Sequence, residues 1–161
     1  MYTEKQKQIF EGVIELARQG VDLRGIKVQA IATAAGVGKG TLYEYFKTKD
    51  EILLSTLSFC IENELDQMEA LLKAGDEFVQ QLSDLQAFLI SAIQQRGAIY
   101  RLLMDGALKQ GNCLKQRFAA HWQRGQRVLI QLISTGRTQG RIAENHTDDY
   151  CVYTMITALA G

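Results

Sequence analysis

The sequence contains no proline in 161 residues, and its cysteines are few. Proline interrupts helices, so its absence favours long uninterrupted helices and disfavours a loop-rich fold. The three cysteines, Cys60, Cys113 and Cys151, are far apart in the sequence and form no CxxC pair. An odd number of dispersed cysteines is a poor disulfide framework, so we expect reduced thiols in a cytoplasmic protein.

Long apolar stretches and net charge are also missing. No apolar run reaches the roughly 18 residues that would span a bilayer, and the polar start MYTEKQKQ predicts no signal peptide. Lys plus Arg and Asp plus Glu number 18 each, so the formal net charge is zero. Residues 1–50 carry +2 and the remainder −2. This asymmetry is too small to support nucleic-acid binding by itself.

Apolar residues at helical spacing follow one another along the whole chain, and no segment has the alternation of a strand. Thr3 with Gln6 forms a capping box that begins a first helix. Thr48 with Glu51 forms a second box, which begins a long helix. The spacing predicts an all-α fold of three short helices followed by four or five longer ones.

Glycine and polar clusters divide the longer helices from one another. We expect one helix to end before Gly75, the next to stop near Arg96, and a shorter helix to span residues 99–109. A further helix ends near Gly136, and Thr147 caps the last one. These breaks complete the predicted helical body.

Residues 28–49, VQAIATAAGVGKGTLYEYFKTK, predict a short helix, a glycine-bearing turn and a second short helix. Leu42 and Phe46 are four residues apart, which buries one face of the second short helix. The opposite face fits neither a core nor an ordinary solvated surface, but it suits contact with phosphates and base edges. Its residues are Lys39, Gly40, Thr41, Tyr43 and Tyr45.

The segment IATAAGVGKGTLYEYFKTKDEIL resembles the helix-turn-helix signature of TetR-family transcriptional regulators, and the match covers about residues 6–55. The resemblance implies a helix-turn-helix DNA-binding domain at residues 1–47. It also implies a helical ligand-binding and dimerisation domain at residues 48–161. We therefore expect a homodimeric repressor that binds a palindromic double-stranded DNA operator and releases it when a small-molecule effector binds.

The same resemblance assigns roles to individual residues of the turn and second helix. Lys39, Gly40 and Tyr43 occupy positions where family members commonly contact base edges. Thr41, Tyr45 and Lys49 occupy positions that contact phosphates. Family members also commonly have a further helix after the last one predicted here, and the two together build the dimer interface. We therefore expect a final dimerisation helix beyond residue 161.

Two positions depart from the family pattern. Gly38 stands where a serine or threonine commonly caps the recognition helix, and glycine is a tolerated cap. Lys27 stands where a threonine commonly begins the preceding helix; lysine does not cap in that way, but its length allows it to reach a phosphate. Both residues are counted among the predicted DNA contacts.

Aromatic and soft apolar side chains in the C-terminal region are candidates for an effector cavity. For each of them, ordinary core packing is the alternative, and a hydrogen-bonded interior histidine is the alternative for His121. Their number favours an apolar or aromatic effector. The candidates are Phe59, Phe88, Tyr100, Met104, Phe118, His121 and Trp122.

Other classes of function find little support in the sequence. GVGKGT lacks the spacing of a phosphate-binding loop. His121 and His146 are the only histidines, and no cysteine lies at ligand spacing, so we expect no metal site and no cofactor. No activated nucleophile or acid–base pair is evident, so an enzyme is not expected. The alternative to the regulator is a helical small-molecule-binding or protein-interaction domain with weakened specific DNA binding.

Overall fold

The computed structural model describes residues 2–72, 77–104 and 111–160, and all regular structure within these ranges is helical. The all-α prediction, with an N-terminal helix-turn-helix and a helical C-terminal region, is confirmed. In chain order the helices are α1 (Glu4–Arg18), α2 (Val28–Ala34), α3 (Lys39–Tyr45), α4 (Lys49–Leu72), α5 (Phe78–Met104), α6 (Gly111–Thr138) and α7 (Asp148–Ala160).

The chain forms two compact units, and each contains parts of α4 and α5. The first unit comprises Met1–Ile61 and Ile93–Gly111, and the second comprises Glu62–Ala92 and Asn112–Gly161. This division reflects how closely the residues pack, and it does not test which residues share a function. The functional boundary between residues 47 and 48 therefore stays a prediction.

The first unit is built on the buried face of α1. The predicted capping box is present, because the Thr3 hydroxyl accepts from the Gln6 amide at 3.2 Å and the Gln6 side chain accepts from the Thr3 amide at 2.9 Å. Ile9 and Phe10 are fully buried on the inner face. This helix gives the two shorter helices an apolar surface on which to pack.

Two contacts fix α1 against the turn that follows α2. The Gln8 side-chain amide donates to the Ala35 carbonyl at 2.8 Å. A Cβ placed on Gly12 would lie 2.7 Å from the Ala35 backbone nitrogen, so only glycine allows this approach. The hydrogen bond satisfies a carbonyl at the end of α2 that has no partner within the helix.

The capping arrangement at the start of α4 differs in one detail from the prediction. The Thr48 hydroxyl accepts from the Glu51 amide at 3.1 Å, as expected. The Glu51 carboxylate, however, accepts from the amide of Lys47 at 2.7 Å, one residue before the position that the sequence pattern implies. The side chains of Thr48 and Glu51 therefore each still accept a hydrogen bond from a backbone amide near the start of α4.

The predicted break after Arg96 is wrong, because α5 continues unbroken to Met104. Gly97 lies inside this helix, where a glycine costs only about 1 kcal/mol relative to alanine. Ala92 and Ile99 are both buried and lie seven residues apart, so the helical spacing continues across the glycine. The predicted break at Gly75 and the predicted helix end at Lys109 lie outside the described residues.

In the second unit, close packing joins the end of α6 to the start of α5 and to α7. The Gln139 side chain accepts from the Phe78 amide at 2.7 Å and so caps α5. Arg137 donates to Asp148 and to the His146 carbonyl, each at 2.6 Å. The Thr147 hydroxyl accepts from the Tyr150 amide at 3.3 Å, which confirms the predicted cap of the last helix.

Candidate nucleic-acid interface

The helix α3 is anchored by its apolar side. Leu42 is fully buried and Phe46 is 4% exposed. The Phe46 ring packs against Phe10 of α1, with ring centroids 5.9 Å apart. Because the anchor residues are four apart, they fix which face of this short helix points away from the protein.

The face opposite the anchor carries the residues that the sequence predicted to contact DNA. Lys39, Gly40 and Tyr43 are exposed, and Tyr43 leaves half of its surface open to solvent. Thr41 and Tyr45 are half-buried on the flank. At about 100° per residue, Gly40 lies nearly opposite Leu42, Lys39 and Tyr43 lie on one flank of α3, and Thr41 and Tyr45 lie on the other. Their contacts with DNA stay a prediction.

Lys39 and Tyr43 interact with each other on this face. The Lys39 ammonium lies 5.9 Å from the centroid of the Tyr43 ring, within the range of a cation–π contact. Such a contact at an exposed site is worth about 0.5–1 kcal/mol, so it orients both side chains without holding them rigidly. Both groups remain available to a partner.

The turn before α3 requires glycine at one position. Gly36 has a φ of 62°, which L side chains rarely adopt, so a glycine is needed there to reverse the chain. Val37 follows, and then Gly38, which caps α3 without a side-chain hydrogen bond. Lys27 caps α2, also without a side-chain hydrogen bond, and its side chain is exposed. Both departures from the expected caps are thus visible in the structure.

Lys49 has a local partner that the sequence did not predict. It is half-buried at the start of α4, and its ammonium donates to the backbone carbonyl of Arg24 in the loop between α1 and α2. A lysine in the first turn is unfavourable for the helix dipole. The contact with Arg24 offers one physical reason for its position there, beside the predicted phosphate contact.

The candidate effector residues divide between the two compact units. Phe59, in the first unit, packs against Phe10 at 5.2 Å and Tyr2 at 5.9 Å between ring centroids. This is core packing of the N-terminal bundle. Tyr100 is half-buried on α5 in the same unit. Met104 ends α5, and its side chain lies outside the described residues.

The remaining candidates belong to the second unit. The rings of Phe118 and His121 are 5.5 Å apart, and the His121 Nε2 lies 3.3 Å from a carboxylate oxygen of Glu62. Phe88 is half-buried, whereas Trp122 is 60% exposed. His121 and Phe118 thus form a pair on α6, and Trp122 is directed to solvent.

The cavities described in the structure lie in the first unit and are not lined by these candidates. An open groove of 690 Å³ follows α1 and α2 and includes Glu15, Gln29 and Lys27. A smaller cavity of 180 Å³ lies beside Arg24 and Arg101. The effector site stays a prediction.

Three residues with evident structural or surface roles were missed by the sequence interpretation. Gln8 holds the end of α2, and no pattern in the sequence marks it. Arg124 of α6 binds Glu69 and Asp66 of α4, a pairing between distant segments. Glu44 lies on the outer face of α3. The helical spacing from Leu42 is a signal by which Glu44 was detectable.

The described ranges contain neither a cluster of metal-ligating side chains nor a helix of membrane-spanning character. Among the residues described there, no three His, Cys, Asp or Glu side chains gather as a metal site would require. Within residues 2–72, 77–104 and 111–160, no helix is both long and apolar enough to cross a bilayer.

Two short helices joined by a glycine turn, the second with an exposed polar and aromatic face, have the arrangement of a helix-turn-helix motif. Residues 14–56 match the model of the bacterial regulatory proteins of the tetR family. This match covers the helix-turn-helix segment and agrees with the TetR-family resemblance of the sequence motif. A search of curated proteins finds no match.

Solved structures with the same fold cover almost the whole chain. FadR from Bacillus subtilis in complex with stearoyl-CoA is 22% identical, with a TM-score of 0.75 over 95% of this chain and 82% of that chain. FadR from Bacillus halodurans is 19% identical, with a TM-score of 0.77 over 99% and 82%. A TetR regulator from Haloarcula marismortui is 17% identical, with a TM-score of 0.78 over 99% and 84%. At these identities the likeness concerns the fold.

Proposed function

We propose that this regulator is a repressor that binds a palindromic operator as a homodimer and is released by a small apolar or aromatic effector. The observation that carries the proposal is the outer face of α3, where Lys39, Gly40 and Tyr43 are exposed while Leu42 is fully buried. A buried anchor under a polar, aromatic surface is what insertion into the major groove requires. Because its target is chromosomal DNA, we place the protein in the cytoplasm.

The proposed dimer presents two copies of α3 to successive major grooves. Half-sites one helical turn apart require a separation of roughly 34–36 Å between the two helices. An effector that binds better to a conformation with another separation lowers operator affinity. The coupling requires that difference in affinity, and a tenfold effect corresponds to about 1.4 kcal/mol.

The phosphate and base contacts are tested by DNA binding at 0.15 M salt with the promoter region of the protein's own gene. Lys39→Ala is expected to reduce discrimination between operator and unrelated DNA, because a lysine in the major groove prefers the acceptors of guanine. Arg127→Ala is the matched control, since Arg127 is exposed on α6 and its removal also deletes one positive charge. A Lys39→Ala variant whose operator affinity and discrimination stay within twofold of the wild type contradicts the contact.

The effector class is supported by the FadR structure from Bacillus subtilis, which has the same fold and holds stearoyl-CoA. Stearoyl-CoA is therefore the first probe to use. Its addition is expected to weaken operator binding by tenfold or more, whereas free coenzyme A has no such effect because it lacks the apolar chain. Equal effects of the two compounds argue against an apolar effector.

A second candidate is a helical small-molecule-binding or protein-interaction domain with weakened specific DNA binding. It is favoured by the two helix starts at Lys27 and Gly38, which have no side-chain cap. Relative to a serine or threonine cap, Lys27 costs α2 about 1 kcal/mol of helix stability, whereas Gly38 costs α3 only roughly a few tenths of a kcal/mol. A gel shift that is equally strong for promoter and scrambled DNA favours this candidate, and a preference for the promoter excludes it.

A further inference from the structure

Glu44 occupies the middle of the outer face of α3. Successive residues of a helix differ by about 100°, so Glu44 lies about 160° from the fully buried Leu42. Lys39 and Tyr43 lie to one side of this direction, and Thr41 and Tyr45 lie to the other. If α3 enters the major groove, as proposed above, the Glu44 carboxylate is the group that enters most deeply.

The Glu44 carboxylate has no structural task within the protein. Its side chain is exposed, and within residues 2–72, 77–104 and 111–160 it forms no hydrogen bond or ion pair. Helical side chains lean towards the N-terminal end of their helix, which places Glu44 over Gly40. A Cβ on Gly40 would meet nothing within 4 Å, so the space beside the carboxylate is open.

A carboxylate on a DNA-facing surface is repelled by every phosphate and therefore lowers affinity for DNA in general. In the major groove, cytosine presents the amino group N4 as a donor with no adjacent acceptor on the same base. Guanine presents acceptors, thymine presents an acceptor and a methyl group, and adenine pairs its donor with an acceptor. A carboxylate therefore discriminates in favour of cytosine and against the other three bases.

We infer that Glu44 is a specificity-determining residue of this regulator and accepts a hydrogen bond from the N4 amino group of one cytosine in each operator half-site. This inference rests on the proposed function, because it requires that α3 enters the major groove. It assigns the base preference at one position to a single side chain. Lys39 and Tyr43 then contribute at neighbouring positions.

The test is selection of bound sequences from a randomised double-stranded DNA library with the full chain and its Glu44→Gln and Glu44→Ala variants. The wild type is expected to select one cytosine in each half-site. Replacing that cytosine by another base should lower the affinity of the wild type for the DNA tenfold or more. Glu44→Ala should lose the preference at that position alone. Glu44→Gln should select adenine there, because glutamine pairs with the N6 and N7 groups of adenine. Arg127→Ala is the control and should select the wild-type sequence.

Two results overturn the inference, and they are distinguishable. If both Glu44 variants bind every sequence more tightly by the same factor and select the wild-type bases, Glu44 only repels phosphates and does not read a base. If the folded wild type selects no sequence at all, the proposed operator binding fails as well. Circular dichroism of each variant establishes that it is folded, as expected for changes at an exposed position.

Discussion

Gly12 shows how one residue sets the geometry of the helix-turn-helix region. It lies on the buried face of α1, where its missing side chain allows the Ala35 backbone to approach. Gln8, four residues earlier, donates to the carbonyl of the same Ala35. The two residues are one helical turn apart, so α1 holds the end of α2 and the following turn through a single edge.

We expect Gly12→Ala to destabilise the protein by about 1–3 kcal/mol, because the added methyl overlaps the Ala35 backbone. The measurement is the free energy of unfolding from urea denaturation. Gly97→Ala is the matched control: a Cβ there meets nothing within 4 Å, so the same substitution should stabilise α5 by about 0.5–1 kcal/mol. Equal effects of the two substitutions contradict the proposed overlap.

Lys49 has two roles to separate, one within the protein and one at the DNA. Its ammonium has three donors, and the Arg24 carbonyl uses one of them. We therefore expect Lys49→Ala to weaken binding to all DNA sequences and to lower the slope of log K against log salt by about one unit. An unchanged slope together with a lower free energy of unfolding assigns Lys49 to the Arg24 contact alone.

At the scale of the helices, the second unit is joined by a charged contact between α4 and α6. The Arg124 guanidinium donates to both Glu69 oxygens at 2.7 Å and to Asp66 at 2.6 Å. The hydrogen bonds with Glu69 and Asp66 raise the pKa of Arg124 above its ordinary value. Three charge-assisted bonds with planar geometry form a stronger contact than a single surface ion pair.

Removal of this contact should lower the free energy of unfolding by about 1 kcal/mol, because the Arg124 side chain is only 26% exposed and binds two carboxylates. The variant Arg124→Ala is compared with Arg127→Ala. Arg127 lies one turn along the same helix and is exposed, so its replacement should change the free energy of unfolding by less than about 0.5 kcal/mol. The difference should shrink in 1 M salt through screening. A salt-independent difference indicates lost packing of the arginine stem instead.

The sequence predicted the helices better than it predicted their ends and contacts. Capping residues and apolar spacing are local, so Thr3, Thr48 and Thr147 were recognised as helix starts. The predicted end near Arg96 was wrong, because burial of Ala92 and Ile99 on either side of Gly97 outweighs the small cost of a glycine within α5. Arg124 contacts Glu69 and Asp66, which lie 55 and 58 positions earlier in the chain, and no local pattern in the sequence contains such a relation.

At the scale of the whole molecule, the chain combines a recognition helix with a larger helical body, the arrangement that the TetR-family motif predicted. The α4 helix contributes residues to both compact units. Coupling between distant sites requires an element with two arrangements whose equilibrium both sites bias. The proposed response to an effector requires such an element.

Linkage gives a prediction for the intact protein that does not depend on the site of the effector. If stearoyl-CoA weakens operator binding tenfold, saturating operator DNA must weaken stearoyl-CoA binding by the same factor. Isothermal titration with and without operator measures both factors. An affinity for stearoyl-CoA that does not change when operator DNA is added contradicts the proposed coupling.

The sequence by itself determined the all-α class, the helix starts and the glycine turn before α3, because caps, turns and helical spacing depend on neighbouring residues. It also predicted the exposure of Lys39, Gly40 and Tyr43 on α3, but it missed Glu44 on the same helix. Only the tertiary structure decided that Gln8 and Gly12 hold Ala35, that Lys49 contacts Arg24, and that Phe59 packs in the N-terminal core. These contacts join segments far apart in the chain, so their existence depends on how the helices pack.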